Sequence, residues 1–450
     1  MNHQTGGRRR GRRNGHGQRL AVIWGALLLM VPPGLASAAE LDYRLGVSLQ
    51  YSDNIALSET DEISETILIP SAAFVYTQEG ERLDLQAAGS LEHRSYLDNS
   101  FSSEFRSQLA LKADVAILPQ ALTWTLQDYL ATLPIDAQDP ARPDNVQTTN
   151  LFLTGPTWIV RPWERTRLQL EARYANTYAE TTDEFNSDRL SFAVRGFHQT
   201  SPLATWSWHV EFYDVNTDDS IATVYDYERR DIYGRYERNL PRWGMAAEAG
   251  ITRVRPEGQG WDEEPHVVVE ASWTPNDSFR ANAALSRRVS DAAFDIIRNA
   301  PTVGDFDLDH AIPALQINEP TAQLFVENRA NLRMTNRGRG NTLTVNAFYR
   351  EQEYLEDAFL DQSSHGASVV FNRQVRARVA IGAYVRAEQR RYESVSRRDR
   401  DFEGGVNWTW WWLRNVAVSA GVSHMRRDSN APGRDYTDNR ATVSLIYRRR

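Results

Sequence analysis

Arginines that alternate with apolar residues are the feature of this 450-residue sequence most able to do chemistry. With a two-residue period, their side chains would share one face of an extended segment. Guanidinium groups bind carboxylates through paired donors, so a wall of them could hold anionic solutes. The residues predicted to line such a wall are Arg167, Arg173, Arg195, Arg280, Arg288, Arg329, Arg333, Arg350, Arg378 and Arg386, with Glu171, Glu211, Glu248 and Glu327 on the same face.

The same acidic residues offer a plainer explanation. Arginines and glutamates on one face can pair with each other and hydrate an interior of no particular selectivity. Asp84 and Glu92 add to the available partners. The pattern favours this mutual pairing, and a selective arginine wall is the alternative.

Catalytic and metal-binding groupings are weaker. Ser363-Ser364-His365 and Ser423-His424 lack a recognisable nucleophile context, and adjacent strand residues point to opposite faces. The acidic run Glu59, Asp61, Glu62 and Glu65 lacks the spacing of a calcium loop, which favours a solvated charge run. We therefore predict no enzyme, catalytic residue, metal or cofactor, with an outer-membrane hydrolase as a weak alternative.

The segments that would position the arginines show alternation throughout. Apolar residues occupy every second position from Leu41 to Tyr51, and the pattern returns, for example, at Leu109–Ile117, Leu168–Tyr174 and Ala441–Tyr447. Period two indicates β-strands with one apolar and one polar face. No later apolar run approaches the roughly 20 residues of a membrane-spanning helix.

Two kinds of connection separate these strands. Short turns, such as those near Pro119-Gln120 and Pro241-Arg242, recur about every forty residues, and longer polar segments lie midway between them. This rhythm is typical of outer-membrane barrels, with short periplasmic turns and long external loops. We predict an all-β fold: one antiparallel up-and-down transmembrane β-barrel of about 20 strands, with 18 possible. An insertion at about 290–320 could fold into the lumen or remain an external loop.

Aromatic residues support a membrane barrel over a soluble β-sandwich. Eleven of the twelve tryptophans after residue 38 lie near a predicted short turn. Several tyrosines favour the opposite strand ends, which predicts two aromatic girdles; these are Tyr51, Tyr96, Tyr129, Tyr178, Tyr213, Tyr354, Tyr392 and Tyr436.

The first residues have the composition of an export signal. Six arginines without an acidic residue precede the apolar run Leu20–Met30, and Ala36-Ser37-Ala38 has the form of a cleavage site. We predict a cleaved Sec-type signal peptide, 1–38, and a barrel domain, 39–450, in a Gram-negative outer membrane. The barrel domain has 45 basic and 59 acidic residues, which argues against nucleic acid binding. Without cysteine, disulfides and thiolate metal sites are excluded.

Tyr51-Ser52-Asp53-Asn54-Ile55-Ala56-Leu57, directly after the first strand, resembles a known group. These are β-barrel porins found with bacterial exopolysaccharide and PEP-CTERM/exosortase systems, which share a Tyr/Thr-x-Asp-Asn-x-x-Leu loop. Tyr51, Asp53, Asn54 and Leu57 carry the resemblance. It implies an outer-membrane barrel linked to surface polysaccharide. One departure is that Arg448, Arg449 and Arg450 follow Tyr447, where the group ends on an aromatic residue.

The predicted function is therefore a porin-like channel linked to exopolysaccharide export or to the passage of anionic solutes. The alternative is a plugged structural or surface-interaction barrel within an envelope or secretion complex. The expected partners are outer-membrane lipid and lipopolysaccharide, the barrel-assembly machinery, and exopolysaccharide or anionic solutes.

Overall fold

The fold was analysed in a computed structural model, which describes residues 39–217, 225–299 and 323–449. The predicted signal peptide and most of the predicted insertion lie outside these residues. Twenty strands account for nearly all of the described chain: β1 (Ala39–Ser52), β2 (Glu65–Gln78), β3 (Leu83–Tyr96), β4 (Glu104–Leu118), β5 (Leu122–Pro134), β6 (Val146–Trp163), β7 (Thr166–Ala179), β8 (Ser187–Ser201), β9 (Ala204–Thr217), β10 (Tyr227–Asn239), β11 (Trp243–Pro256), β12 (Asp262–Asn276), β13 (Phe279–Ser290), β14 (Phe325–Gly338), β15 (Asn341–Tyr354), β16 (Gln362–Arg376), β17 (Val379–Tyr392), β18 (Arg397–Trp411), β19 (Val416–Ser429) and β20 (Tyr436–Arg449).

The strands form one closed antiparallel barrel. Each strand pairs with its neighbour in sequence, and β1 pairs with β20 from Tyr43↔Arg449 to Ser52↔Arg440. Closure gives every strand edge a hydrogen-bonding partner, which a sheet in lipid requires. The predicted all-β barrel of about 20 strands, with alternating short turns and long loops, is confirmed.

Among the residues that the structure describes, helices occur only at the long-loop end of the barrel. Helix α1 (Ala292–Asn299) follows β13, and short 3₁₀ helices occur at Asp183–Phe185 and Ala358–Leu360. None of the helices in the described residues is long and apolar enough to cross a membrane.

The outer face is an apolar band. In β1, Leu45, Val47 and Leu49 are each about half exposed and point away from the interior. Tryptophans mark the short-turn end of this band, as the sequence predicts: Trp124, Trp158, Trp206, Trp243, Trp273 and Trp408 are all exposed. A closed barrel whose apolar side faces outward is the arrangement that a bilayer stabilises.

The predicted tyrosine girdle at the long-loop end is wrong for at least four of its eight members. Tyr96, Tyr354, Tyr392 and Tyr436 are buried, whereas Tyr51 is 48% exposed. The reason is strand parity: Tyr392, for example, shares its face with the interior residues Glu388 and Arg390, four and two positions earlier. These tyrosines therefore pack inside the mouth of the barrel.

Candidate functional site: the barrel interior

Most of the residues predicted to line the wall lie on the interior face of their strands. The exception is Arg378, which lies in the short turn between β16 and β17 and donates to the carbonyl of Trp412. Its assignment to the wall is corrected, because the strand begins only at Val379. Five of the others are in ion pairs, namely Arg173, Arg195, Arg329, Arg350 and Arg386. The remaining ones, Arg167, Arg280, Arg288 and Arg333, have no carboxylate within 4.0 Å among the described residues.

On β7–β12 the interior charges neutralise each other within the wall, here called the balanced wall. Arg195 lies between two glutamates, with Nη1 3.0 Å from Glu171 Oε2 and Nε 2.9 Å from Glu211 Oε1. Arg235 and His266 together bind Glu248, and His266 Nε2 is 3.0 Å from its Oε2. Every one of these groups is supplied by alternate positions of neighbouring strands, so strand pairing alone brings them together.

Aromatic rings stiffen the same wall. The rings of His209 and Tyr233 stack with centroids 4.5 Å apart, and those of Tyr233 and His266 do the same. The Tyr233 hydroxyl donates to Glu211 Oε1 at 3.1 Å. Because both faces of Tyr233 are covered, this stack supports the wall and presents no open platform for a ligand.

Helix α1 lies inside the barrel and narrows it. Asp291 precedes the helix, and its Oδ1 accepts a hydrogen bond from the Phe294 N–H at 2.8 Å, which caps the helix. Asp291 Oδ2 also pairs with Arg189 of β8 at 2.5 Å. One carboxylate therefore both starts the helix and fixes it to the wall.

The two faces of α1 contact different parts of the interior. Ala292, Ala293 and Ile296, which lie on one face, pack against the apolar side chains of Leu133, Leu151, Ala179 and Phe185. On the other face, Asp295 is 2.7 Å from Arg350 of β15, and Arg298 is 3.1 Å from Glu327 of β14. Residues 290–299, the first part of the predicted insertion, thus fold into the barrel. Residues 300–322, which contain the other aspartates of the insertion, lie outside the described residues.

A second segment, residues 135–145, crosses the long-loop mouth and is called the strap. Asn145 shapes it by donating to the carbonyls of Asp136 at 2.9 Å and Pro140 at 3.0 Å. Three arginines from the other side of the mouth hold it. Arg390 donates to the Ala137 carbonyl at 3.3 Å, Arg397 donates to the Gln138 carbonyl at 2.7 Å, and Arg434 forms an ion pair with Asp139.

Beneath the strap is a cavity of about 680 Å³, bounded by β1–β5 and β15–β20. Interior arginines outnumber carboxylates in its lining by eight to five, although the chain as a whole is acidic. The arginines are Arg44, Arg94, Arg106, Arg350, Arg386, Arg390, Arg427 and Arg440. A cavity with an excess of arginines in its lining can attract and briefly hold an anion.

Most of these cavity arginines were not among the residues predicted from the sequence. The same parity rule would have found Arg94 and Arg106, since each alternates with apolar residues of β3 and β4. Their convergence on one cavity depends on barrel closure and on the strap, which no local pattern reveals.

The Asp-Asn motif after β1 joins the first loop to the last strand. Asn54 is fully buried, and its Nδ2 donates to the carbonyls of Ser58 at 2.8 Å and Thr437 at 2.9 Å. Asp53 accepts from the backbone and side chain of Asn439 at 2.6 and 2.7 Å. Leu57 adopts a φ of 49° and is buried. The motif therefore closes the β1–β20 seam at its long-loop end.

The groupings that suggested catalysis or metal binding are dispersed or structural. Ser423 lines the interior side of β19, whereas His424 points outward and contacts Asn439 Oδ1 at 2.8 Å. Glu65 accepts hydrogen bonds from the backbone of Asp98 and Ser100, which orders the neighbouring loop. Within 39–217, 225–299 and 323–449, no cluster of three or more acidic or histidine side chains is arranged to hold a metal ion.

Comparison with known proteins supports the same architecture. Residues 360–449, which contain β16–β20, match the family described as "Putative beta-barrel porin 2". No curated protein sequence matches the chain. The match covers five of the twenty strands and agrees with a porin-like barrel architecture.

Among solved structures, the siderophore receptor PirA from Pseudomonas aeruginosa is 12% identical, with a TM-score of 0.43 over 92% of this chain and 81% of that one. The FrpB iron transporter from Neisseria meningitidis is 7% identical, with a TM-score of 0.46 over 94% and 83%. OccK2 (OpdF) from Pseudomonas aeruginosa, in complex with glucuronate, is 9% identical, with a TM-score of 0.39 over 92% and 99%.

Proposed function

We propose that this chain is a constricted outer-membrane channel for small anionic solutes, among them carboxylate-bearing saccharides. The observation that carries the proposal is the arginine excess in the cavity beneath the strap. The short turns would face the periplasm and the long loops the exterior, as in other barrels of this type.

The size of the passage favours small solutes over a polymer. Helix α1 and the strap both lie across the interior, and the cavity between them and the wall measures about 680 Å³. That volume falls within the range of pockets that hold a small molecule. Passage of an exopolysaccharide chain would need both segments to move aside.

The cavity arginines suit transient binding because several keep one side open. Arg106 and Arg386 pair with Glu104 at 2.8 Å and Glu388 at 2.6 Å, yet their side chains are 27% and 38% exposed. A solute carboxylate can share such a guanidinium without displacing its partner, since each offers five donors.

The test is ion selectivity of the purified protein in planar bilayers. Replacing both Arg106 and Arg386 with Gln should lower the anion-to-cation permeability ratio, measured from reversal potentials in a salt gradient. Arg253→Gln, which removes an exposed arginine from the outer side of β11, is the control and should leave the ratio unchanged. An unchanged ratio in the double variant would overturn the arginine-lined passage.

A plugged, structural barrel is the second candidate, and the inward-folded α1 and strap favour it. Both segments are fixed by several ion pairs and hydrogen bonds, as an occluding plug would be. Single-channel recording separates the two functions. Stable conductance steps support the channel, whereas a correctly folded barrel that stays silent favours the plug.

A further inference from the structure

The outer face of β17–β19 carries a positive patch with few carboxylate partners at its long-loop end. The outer arginine patch consists of Arg391, Arg398, Arg400 and Arg426, all exposed and all on the outward face. Arg391 and Arg398 are directly opposite each other on neighbouring strands. Like charges in that position repel, so the pairing is unfavourable unless an anion lies between them.

Few carboxylates of the described chain neutralise this patch. Arg426 pairs with Asp428 at 2.7 Å, and Arg400 Nε donates to the amide oxygen of Gln389 at 3.3 Å. Arg391, Arg398 and Arg400 have no carboxylate within 4.0 Å among residues 39–217, 225–299 and 323–449.

Another part of the same rim shows that this is not a general property of the outer face. On β10 and β11, Arg230 and Arg255 both pair with Glu228, and Arg253 pairs with Glu263. There each of these outward arginines pairs with a carboxylate, although Arg230 and Arg255 share Glu228. At the outer arginine patch only Arg426 does.

An apolar groove begins directly below the patch. It has a volume of about 790 Å³, and Val385, Phe402, Val406 and Val422 are among its walls. Its floor is Gly404, which pairs with Val385 on one side and His424 on the other. Gly404 leaves room at this point of the groove, since a Cβ there would lie 3.2 Å from Val385 Cγ2.

The distance between the patch and the groove is similar to the distance between the headgroup and the acyl chains of a membrane lipid. Arg400 precedes Gly404 by four residues, about 13 Å along an extended strand and about 10 Å along the membrane normal for a tilted one. The outward positions from Phe402 to Trp410 form the apolar band of β18, so the arginines lie at its upper edge. That edge is the level of lipid headgroups.

We infer that the outer face of β17–β19 is a binding site for a phosphorylated glycolipid of the outer leaflet. The outer arginine patch binds its phosphates, and the Gly404 groove takes one of its acyl chains. Arginine suits the headgroup because its fork of donors matches phosphate geometry.

Native mass spectrometry of the full mature protein tests this site, with bisphosphorylated, hexaacylated lipid A added to detergent micelles. The triple variant Arg391→Gln, Arg398→Gln, Arg400→Gln should bind it at least about tenfold more weakly, since each arginine near an anionic lipid contributes measurably. The matched control is Arg230→Gln, Arg253→Gln, Arg255→Gln, which removes three arginines from the same rim and should bind like the wild type. Equal loss in both triple variants, or none in the first, would overturn the site.

Gly404→Ile tests the groove independently of charge. It should weaken lipid A binding, whereas Gly234→Ile, at an outward position with open space around it, should not. Phosphatidylcholine and inorganic phosphate serve as further probes. If phosphatidylcholine binds as tightly as lipid A, or if inorganic phosphate competes at equal concentration, the combined recognition of phosphate and acyl chain is wrong. Heat-modifiable migration on gels establishes that each variant is folded before it is measured.

Discussion

The balanced wall of β7–β12 and the cavity wall opposite it are built from the same residue types with different charge balance. In the balanced wall, Arg195 has a glutamate on each side and Arg235 is bound by Glu248. Around the cavity, interior arginines exceed carboxylates by eight to five. Alternation places charged residues on the interior face in both regions. Their position on that face therefore does not by itself determine whether they stabilise the barrel or bind a solute.

What differs is how the counter-charges are shared. In the balanced wall one arginine, Arg195, has two carboxylates, whereas at the cavity two arginines, Arg386 and Arg390, share Glu388. Where arginines share a carboxylate, part of the guanidinium surface stays exposed, as at Arg386. We propose that fully compensated charges stabilise the barrel and that the partly exposed ones bind a solute. The predictions below test that division.

The largest expected effect is on stability, in the balanced wall. Arg195→Met should lower the free energy of unfolding by about 3 kcal/mol, because Glu171 and Glu211 lose a shared partner in a largely buried site. Arg386→Gln should cost less than about 1 kcal/mol, since Glu388 keeps Arg390 at 3.0 Å. Urea unfolding of the detergent- or lipid-embedded protein, followed by tryptophan fluorescence, measures both. Equal losses would show that the two walls do not differ in this way.

The division between walls could be predicted only in part from the sequence. Alternation in β1, Leu41 to Tyr51, identifies the fold because every outward residue is apolar. In β10, YERRDIYGRYERN, charges fall on both faces near the loop end, so periodicity hides the strand. Its place follows from the rhythm of turns and loops on either side.

The parts of the site that sequence could not predict are contacts between distant segments. Arg397 and Gln138 are 259 residues apart, and only barrel closure brings β18 to the strap. Likewise, nothing local shows that α1 folds inward, since Ala293 becomes an interior residue only through contact with Leu133 and Phe185. Parity did place Glu211 and Arg195 on one face, because that depends on each strand alone.

At α1, which contacts both Arg189 of the balanced wall and Arg350 of the cavity lining, we expect a smaller effect on stability and a clear effect on transport. Ala293 is fully buried against the apolar cluster that holds the helix. Ala293→Asp would place a carboxylate there, at a cost of about 2 kcal/mol or more to docking of the helix. Single-channel conductance should rise as the helix leaves the interior. Ala358→Asp makes the same change on an exposed short helix and should leave conductance unchanged. If both variants conduct like the wild type, α1 does not restrict the passage.

The smallest expected effect is at the β1–β20 seam, where a compensated charge has backbone and amide donors as its partners. Burial of Asp53 opposes its ionisation, but the hydrogen bonds from Asn439 outweigh that cost and hold the pKa of Asp53 below its usual value of 3.8. A carboxyl whose pKa is lowered on folding contributes stability above its unfolded pKa and loses it as the pH falls through the folded value.

Asp53→Asn should therefore unfold at slightly lower urea than the wild type at pH 7, and the difference should shrink below about pH 4. Glu62→Gln, in the exposed part of the same loop, should show no such pH-dependent difference. A gap between Asp53→Asn and the wild type that is equally large at pH 7 and pH 3 would mean that the seam depends on the shape of the side chain. In that case its charge would contribute nothing, and compensation by neighbouring groups would not explain stability at the point where the barrel closes.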